Sequence, residues 1–204
     1  MMKTLSLRPR TRPFTLKRVV LTLGVALSLA PHVRAEVQIE RGYLPDAGPS
    51  SFAIALPGGV NFCFDPVRGG LSYAWTGKFL DLAPMRPGTG KFIKPANLLG
   101  PIVYREAGTV PLRRGDPQRV PNFEFTGYTL RDDAVEFRYT IDGALVREEI
   151  RVRPNGAGLE RRFQFEGGSD ARWWHVVDGK PATELKRAAG GVFVLEIPFA
   201  TPTK

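Results

Sequence analysis

Apolar and polar positions alternate most regularly between residues 123 and 166. Along 134–141, Val135, Phe137, Tyr139 and Ile141 recur at every second residue, the period that sends alternate side chains to one face of a strand. Asp142-Gly143 follows, a dipeptide suited to a two-residue type I′ hairpin, whose central positions both need positive φ. The return strand is predicted over 144–152. Pro154-Asn155-Gly156 marks the next turn, and 158–166 alternates again with Leu159, Arg161, Phe163 and Phe165 on one side. A strand over 123–130, joined through Arg131-Asp132-Asp133, precedes the set. Four consecutive strands with short connections predict an antiparallel meander.

The first half is less regular. Short strands are predicted over 37–40, 52–56, 60–65 and 71–76, with Pro57-Gly58-Gly59 as a turn. From Phe79 to Pro121 the chain is rich in Pro and Gly, and only Ile102-Val103-Tyr104 has strand character. Trp75, Phe79, Leu82, Phe92, Leu98, Leu99 and Tyr104 lie in or beside this stretch, which predicts an ordered loop packed on a sheet. Near the end, 173–177 and 192–197 supply two further strands, and 182–189 is expected to form one or two helical turns. Many short strands separated by turn clusters predict an all-β fold, an antiparallel β-sandwich carrying a long ordered Pro/Gly-rich loop.

The N-terminus follows a different pattern. Lys3, Arg8, Arg10, Arg12, Lys17 and Arg18 precede the apolar run 19–30 and the small-residue site Val33-Arg34-Ala35. A basic region, a short apolar region and an A-x-A-like end describe a secretory signal peptide. The run is shorter than a membrane-spanning helix requires. Residues 1–35 are therefore expected to be removed, leaving 36–204 as one sandwich domain in the periplasm or outside the cell. No twin-arginine pair and no lipobox cysteine accompanies the leader, so export of an unfolded chain is expected.

Removing the leader changes the electrostatic picture. The whole chain has 29 Lys+Arg against 20 Asp+Glu, but seven of the cations and none of the acids fall within residues 1–35. The remainder is almost neutral, and nothing resembles the concentrated basic face that a nucleic-acid binder uses to displace counterions. Arg151, Arg153, Arg161 and Arg162 are interleaved with Glu148, Glu149, Glu160 and Glu166, the pattern of a solvated mixed-charge sheet face. No stretch after the leader is apolar enough to span a membrane.

Few reactive groups remain. Cys63, the single cysteine, lies in the apolar run Phe62-Cys63-Phe64 and is expected to be buried. His175 is the one histidine beyond the leader, so zinc or copper sites built on several His or Cys ligands are excluded, as is a C-x-x-C-H haem attachment. No cofactor is implied. The sequence contains no G-x-S-x-G elbow.

Trp75, Trp173 and Trp174 are the residues a carbohydrate site would use, since the C–H faces of pyranose rings pack on aromatic planes. Trp173 and Trp174 point to opposite faces if the segment is extended, so one of them is expected to be partly exposed. Asp65 and Asp81 flank the Trp75 segment, and Asp178 and Glu196 lie on late strands. Two of these acids brought to a few ångströms across a cleft would suit glycoside hydrolysis. His175, beside the tryptophan pair, could serve as a general acid or base.

The segments 56–65 (Leu56-Pro57-Gly58-Gly59-Val60 through Asp65) and 71–81 (Leu71-Ser72-Tyr73-Ala74-Trp75 through Asp81), with Leu98-Leu99-Gly100 and Phe125-Thr126-Gly127-Tyr128, resemble an exported β-rich domain of planctomycete- and verrucomicrobia-type bacteria. The likeness covers most of residues 50–170. It implies association with c-type cytochrome and sugar-dehydrogenase-like modules and brings no activity with it. Members of that family often have a second cysteine just after the segment matching 62–65; here Pro66-Val67-Arg68-Gly69-Gly70 contains none. The meander also distantly resembles the supersandwich of galactose mutarotase-like proteins, whose histidines this chain lacks.

Three functions are compatible with these features. One is an exported, non-catalytic accessory module that binds carbohydrate through Trp75, Asp81, Trp173 and Trp174, in periplasmic sugar or redox metabolism. The second is a carbohydrate-active hydrolase, lyase or epimerase using carboxylates such as Asp65 and Asp81. The third is a docking subunit for a c-type cytochrome or dehydrogenase partner.

Overall fold

A computed structural model describes residues 36–86, 93–106, 108–167 and 171–199. The leader-like segment 1–35 and Phe92 lie outside the described residues. Among the described residues sixteen strands follow one another as β1 (Gln38–Gly42), β2 (Ser51–Leu56), β3 (Val60–Asp65), β4 (Gly70–Thr76), β5 (Leu80–Asp81), β6 (Asn97–Leu98), β7 (Ile102–Arg105), β8 (Leu112–Arg114), β9 (Phe123–Leu130), β10 (Ala134–Ile141), β11 (Ala144–Val152), β12 (Gly158–Glu166), β13 (Trp173–His175), β14 (Thr183–Glu184), β15 (Lys186–Arg187) and β16 (Phe193–Pro198). Their pairing gives a five-stranded sheet β1-β2-β3-β4-β7, a six-stranded sheet β15-β16-β12-β11-β10-β9, a three-stranded sheet β14-β13-β8, and the small pair β5-β6. Neighbours run antiparallel, and the fold is an all-β sandwich. Among the described residues no helix is long and apolar enough to cross a membrane.

The meander forms as its periodicity predicts. β10 and β11 pair from Ala134↔Arg151 to Ile141↔Ala144, and the hairpin closes through Asp142 at φ 49° and Gly143 at φ 77°, the positive-φ pair of a type I′ turn. Phe137 from this sheet stacks on Phe64 of the five-stranded sheet with ring centroids 3.8 Å apart. Phe52, Ile54, Phe62, Val135, Tyr139, Val146, Ile150 and Phe163 complete the centre of the core between the two sheets. Trp173 closes one end of it, stacked on Phe165 at 3.8 Å.

β2, β3 and β4 are buried along almost their whole length, because the five-stranded sheet is covered on both faces. Its second face gathers Ala53, Cys63, Tyr73 and Trp75 beneath Leu44, Phe79, Leu80, Leu82 and Leu98. The described parts of the Pro/Gly-rich stretch thus pack on the sheet through the apolar residues that interrupt it. One approach is tight: a Cβ on Gly100 would lie 1.8 Å from the Thr76 carbonyl oxygen, so only glycine lets the loop backbone meet β4 there.

Two expectations are corrected. Residues 182–188 contain no helical turn and form β14 and β15, paired with β13 and β16 respectively, and a single 3-10 turn follows only at Ala189–Gly191. Such pairing overrides local helix propensity because it satisfies backbone groups that a one-turn helix would leave open. The mixed-charge face also loses three members: Glu160 is buried at 8% exposure, and Arg161 and Glu148 are enclosed at 1% and 0%. Arg161 and Glu148 occupy inward positions of their strands, between Leu159 and Phe163 and between Val146 and Ile150.

Candidate functional site

The inward charges form one connected group. Arg161 on β12 donates from Nη1 to both carboxylate oxygens of Glu106 at 3.0 Å, and from Nε to Glu148 Oε1 at 2.5 Å. Tyr139 on β10 donates its hydroxyl to Glu148 Oε2 at 2.7 Å. His175 on β13 meets Glu106 Oε1 through Nε2, and the same nitrogen lies 3.5 Å from Arg161 Nη1. Because an ionised carboxylate only accepts, the shared proton is assigned to Nε2. The guanidinium also lies over the Phe163 ring, 5.2 Å from its centroid.

This group joins three sheets. Glu148, Arg161 and Tyr139 come from the six-stranded sheet, His175 from the three-stranded one, and Glu106 from the turn that follows β7 of the five-stranded one. Burial pushes the Glu106 carboxyl upward, but the charges of Arg161 and His175 overcome it and hold the group below its ordinary range. Burial opposes the Arg161 cation, yet Glu106 and Glu148 hold it more firmly protonated than usual. The Tyr139 hydroxyl is pushed well up by burial and then by Glu148, and remains a neutral donor. A buried ion cluster is stable only when its donors and acceptors are matched, and here each partner is satisfied.

A pocket of about 240 Å³ opens directly above His175. Tyr104, Val177, Leu195 and Ile197 form its apolar wall, and His175, Lys180, Thr183 and Glu196 supply polar groups. The volume lies below the ~300–1,000 Å³ of pockets for drug-sized ligands, so the site suits a single small ring. Tyr104 is half-buried; burial, then the nearby Glu106 charge, keeps its phenol protonated. The lining thus combines apolar surface with neutral and charged hydrogen-bonding groups.

The residues singled out from the sequence are distributed over separate places. Trp75 is fully enclosed on the covered face of the five-stranded sheet, and its indole N–H donates to the carbonyls of Lys78 and Phe79. Asp65 is buried at the end of β3, where its carboxylate accepts the backbone N–H of Gly48, Val67 and Arg68. Asp81 accepts from the Ala83 N–H and the Asn97 amide. Both aspartates therefore organise turns. Trp173 is enclosed in the core, whereas Trp174 is half-buried on the opposite face, as the alternation requires. Its indole donates to the Gly115 carbonyl at 2.8 Å, and Arg172 lies over its ring at 4.6 Å.

Of the residues singled out from the sequence, His175 and the acid Glu196 line the pocket. The groups beneath it, Glu106, Glu148, Arg161 and Tyr139, were missed. For Glu148 and Arg161 a signal existed: each is a charge set among apolar residues of the inward face, and both sit in strands that pair through Glu148↔Phe163 and Ile150↔Arg161. Two opposite charges breaking the same face on paired strands point to a buried pair. Comparison of the chain with protein-family models, with curated proteins and with solved structures finds no match.

Proposed function

We propose that this protein is an exported, non-catalytic β-sandwich that binds a small carbohydrate unit in the pocket above His175, as an accessory module of periplasmic sugar metabolism. The observation that carries this reading is the composition of the pocket: Tyr104, Val177, Leu195 and Ile197 offer apolar surface to the C–H face of a sugar ring, while His175, Thr183, Lys180 and Glu196 stand within the same cavity to bond its hydroxyls. Export is supported by the leader-like pattern of residues 1–35.

A non-catalytic role is favoured over hydrolysis because the acids that converge, Glu106 and Glu148, both converge on buried Arg161. In that environment neither is placed to exchange a proton with a bound sugar. The test is a titration of 15N-labelled protein with a panel of mono- and disaccharides, followed by amide chemical shifts. Saturable shifts confined to β13, β16 and residues 177–183 are expected. Shifts absent across the panel, or concentrated on another surface, would refute the assignment.

A further inference from the structure

We infer that the sugar taken by this pocket carries a carboxylate, as a uronic acid does, and that Lys180 reads it; the inference rests on the carbohydrate reading above. The argument is one of local charge. The ionisable groups other than tyrosine in or directly beneath the cavity are Lys180, Glu196, His175, Glu106, Arg161 and Glu148. Glu196, the carboxylate in the lining, is bonded to Arg153 Nη2 at 2.5 Å. Glu106 and Glu148 share Arg161, and Glu106 also meets His175. Each of these three carboxylates thus already contacts a basic group of the protein.

Asp178, close to Lys180 in sequence, is directed elsewhere. A Cβ on Gly108 would come within 2.8 Å of its Oδ1, and its charge acts on Arg113. Lys180, by contrast, has no acidic partner among the described residues. The turn that bears it is fixed by the Lys180 N–H donating to the Val177 carbonyl at 3.0 Å, with Gly179 at φ 76°. The lining of the pocket therefore includes one exposed lysine whose charge no carboxylate among the described residues pairs with. A ligand carboxylate would complete that pairing, while the pyranose ring lies against the apolar wall.

Calorimetric titration with matched pairs, glucose against glucuronate and galactose against galacturonate, tests this in the wild type and in Lys180→Met. One ion pair to an exposed lysine predicts uronates binding about two- to fivefold tighter than their neutral partners. That preference should collapse in Lys180→Met and fall with added salt. Equal affinity within each pair would overturn the inference and leave the carbohydrate reading standing, as would a preference that survives in Lys180→Met. No binding of any of the four sugars would overturn both.

Discussion

Replacing Arg161 with methionine removes the cation between two enclosed carboxylates while keeping a side chain of similar length. Glu106 loses the two 3.0 Å contacts from Nη1, and Glu148 loses the 2.5 Å contact from Nε. Breaking a buried pair from one side costs about 3–5 kcal/mol because the remaining charge has no compensation. Here a second carboxylate is also deprived of its cation, so the upper part of that range is expected at pH 7. For a domain of this size such a loss lowers the melting temperature by about 10 °C or more. Urea unfolding followed by the fluorescence of buried Trp75 and Trp173 measures it directly.

The pH dependence makes the prediction sharper. In the wild type Glu106 is held below its ordinary value of 4.5; its contribution is fully present above that pH and is lost as pH falls toward the depressed folded value. In Arg161→Met burial acts without the guanidinium, so Glu106 moves upward. A raised carboxyl favours folding below its unfolded value, and the advantage disappears as pH climbs. The gap between the two proteins should therefore narrow steadily from pH 7 to pH 4. Adding Glu106→Gln and Glu148→Gln to Arg161→Met should restore most of the stability, since a neutral core replaces a broken ionic one. A loss under about 1 kcal/mol at pH 7, or a gap that widens on acidification, would refute the reasoning.

Two further outcomes follow from the packing. Cys63 is fully enclosed, and burial pushes its thiol up to about 12, so the native protein should resist thiol reagents at pH 8 and react promptly once denatured; rapid labelling of folded protein would contradict the described core. Gly158 has φ 140°, and a Cβ there would lie 2.2 Å from the Ile197 carbonyl oxygen, so Gly158→Ala should cost about 2–4 kcal/mol and separate β12 from β16 beside the pocket. Thermal unfolding checks the first effect, and loss of hydrogen-exchange protection at Leu195 and Ile197 the second.

What the sequence disclosed depended on periodicity. The meander was legible because its strands are eight or nine residues long, enough for period two to show, and because Asp142-Gly143 names its own turn. β8 spans only Leu112–Arg114, between Pro111 and Gly115, and three residues carry no readable period. β14 and β15 are two residues each and exist through their partners, so a local pattern suggested a helix instead. The opposed faces of Trp173 and Trp174 follow from extension alone. The His175 pocket was less accessible to sequence reasoning: Tyr104, Lys180 and Glu196 come from three distant segments, and only their tertiary arrangement places them round one cavity. Glu106 sits after the end of β7, where no alternation remains to mark it as inward.

The sequence distances inside the ionic cluster constrain how the chain can assemble. Tyr139 and Glu148 are nine residues apart, but Glu106 is separated from Arg161 by 55 and from His175 by 69. Closing loops of that length precedes any reward from the contacts they bring together. A nascent chain that has not yet delivered His175 holds an incomplete set of buried charges, and none of its earlier segments can lock into the finished core. Fragments cut between Glu106 and Arg161 should therefore remain loose apart and regain cooperative unfolding only when mixed, which makes the cluster a checkpoint on completion of the polypeptide.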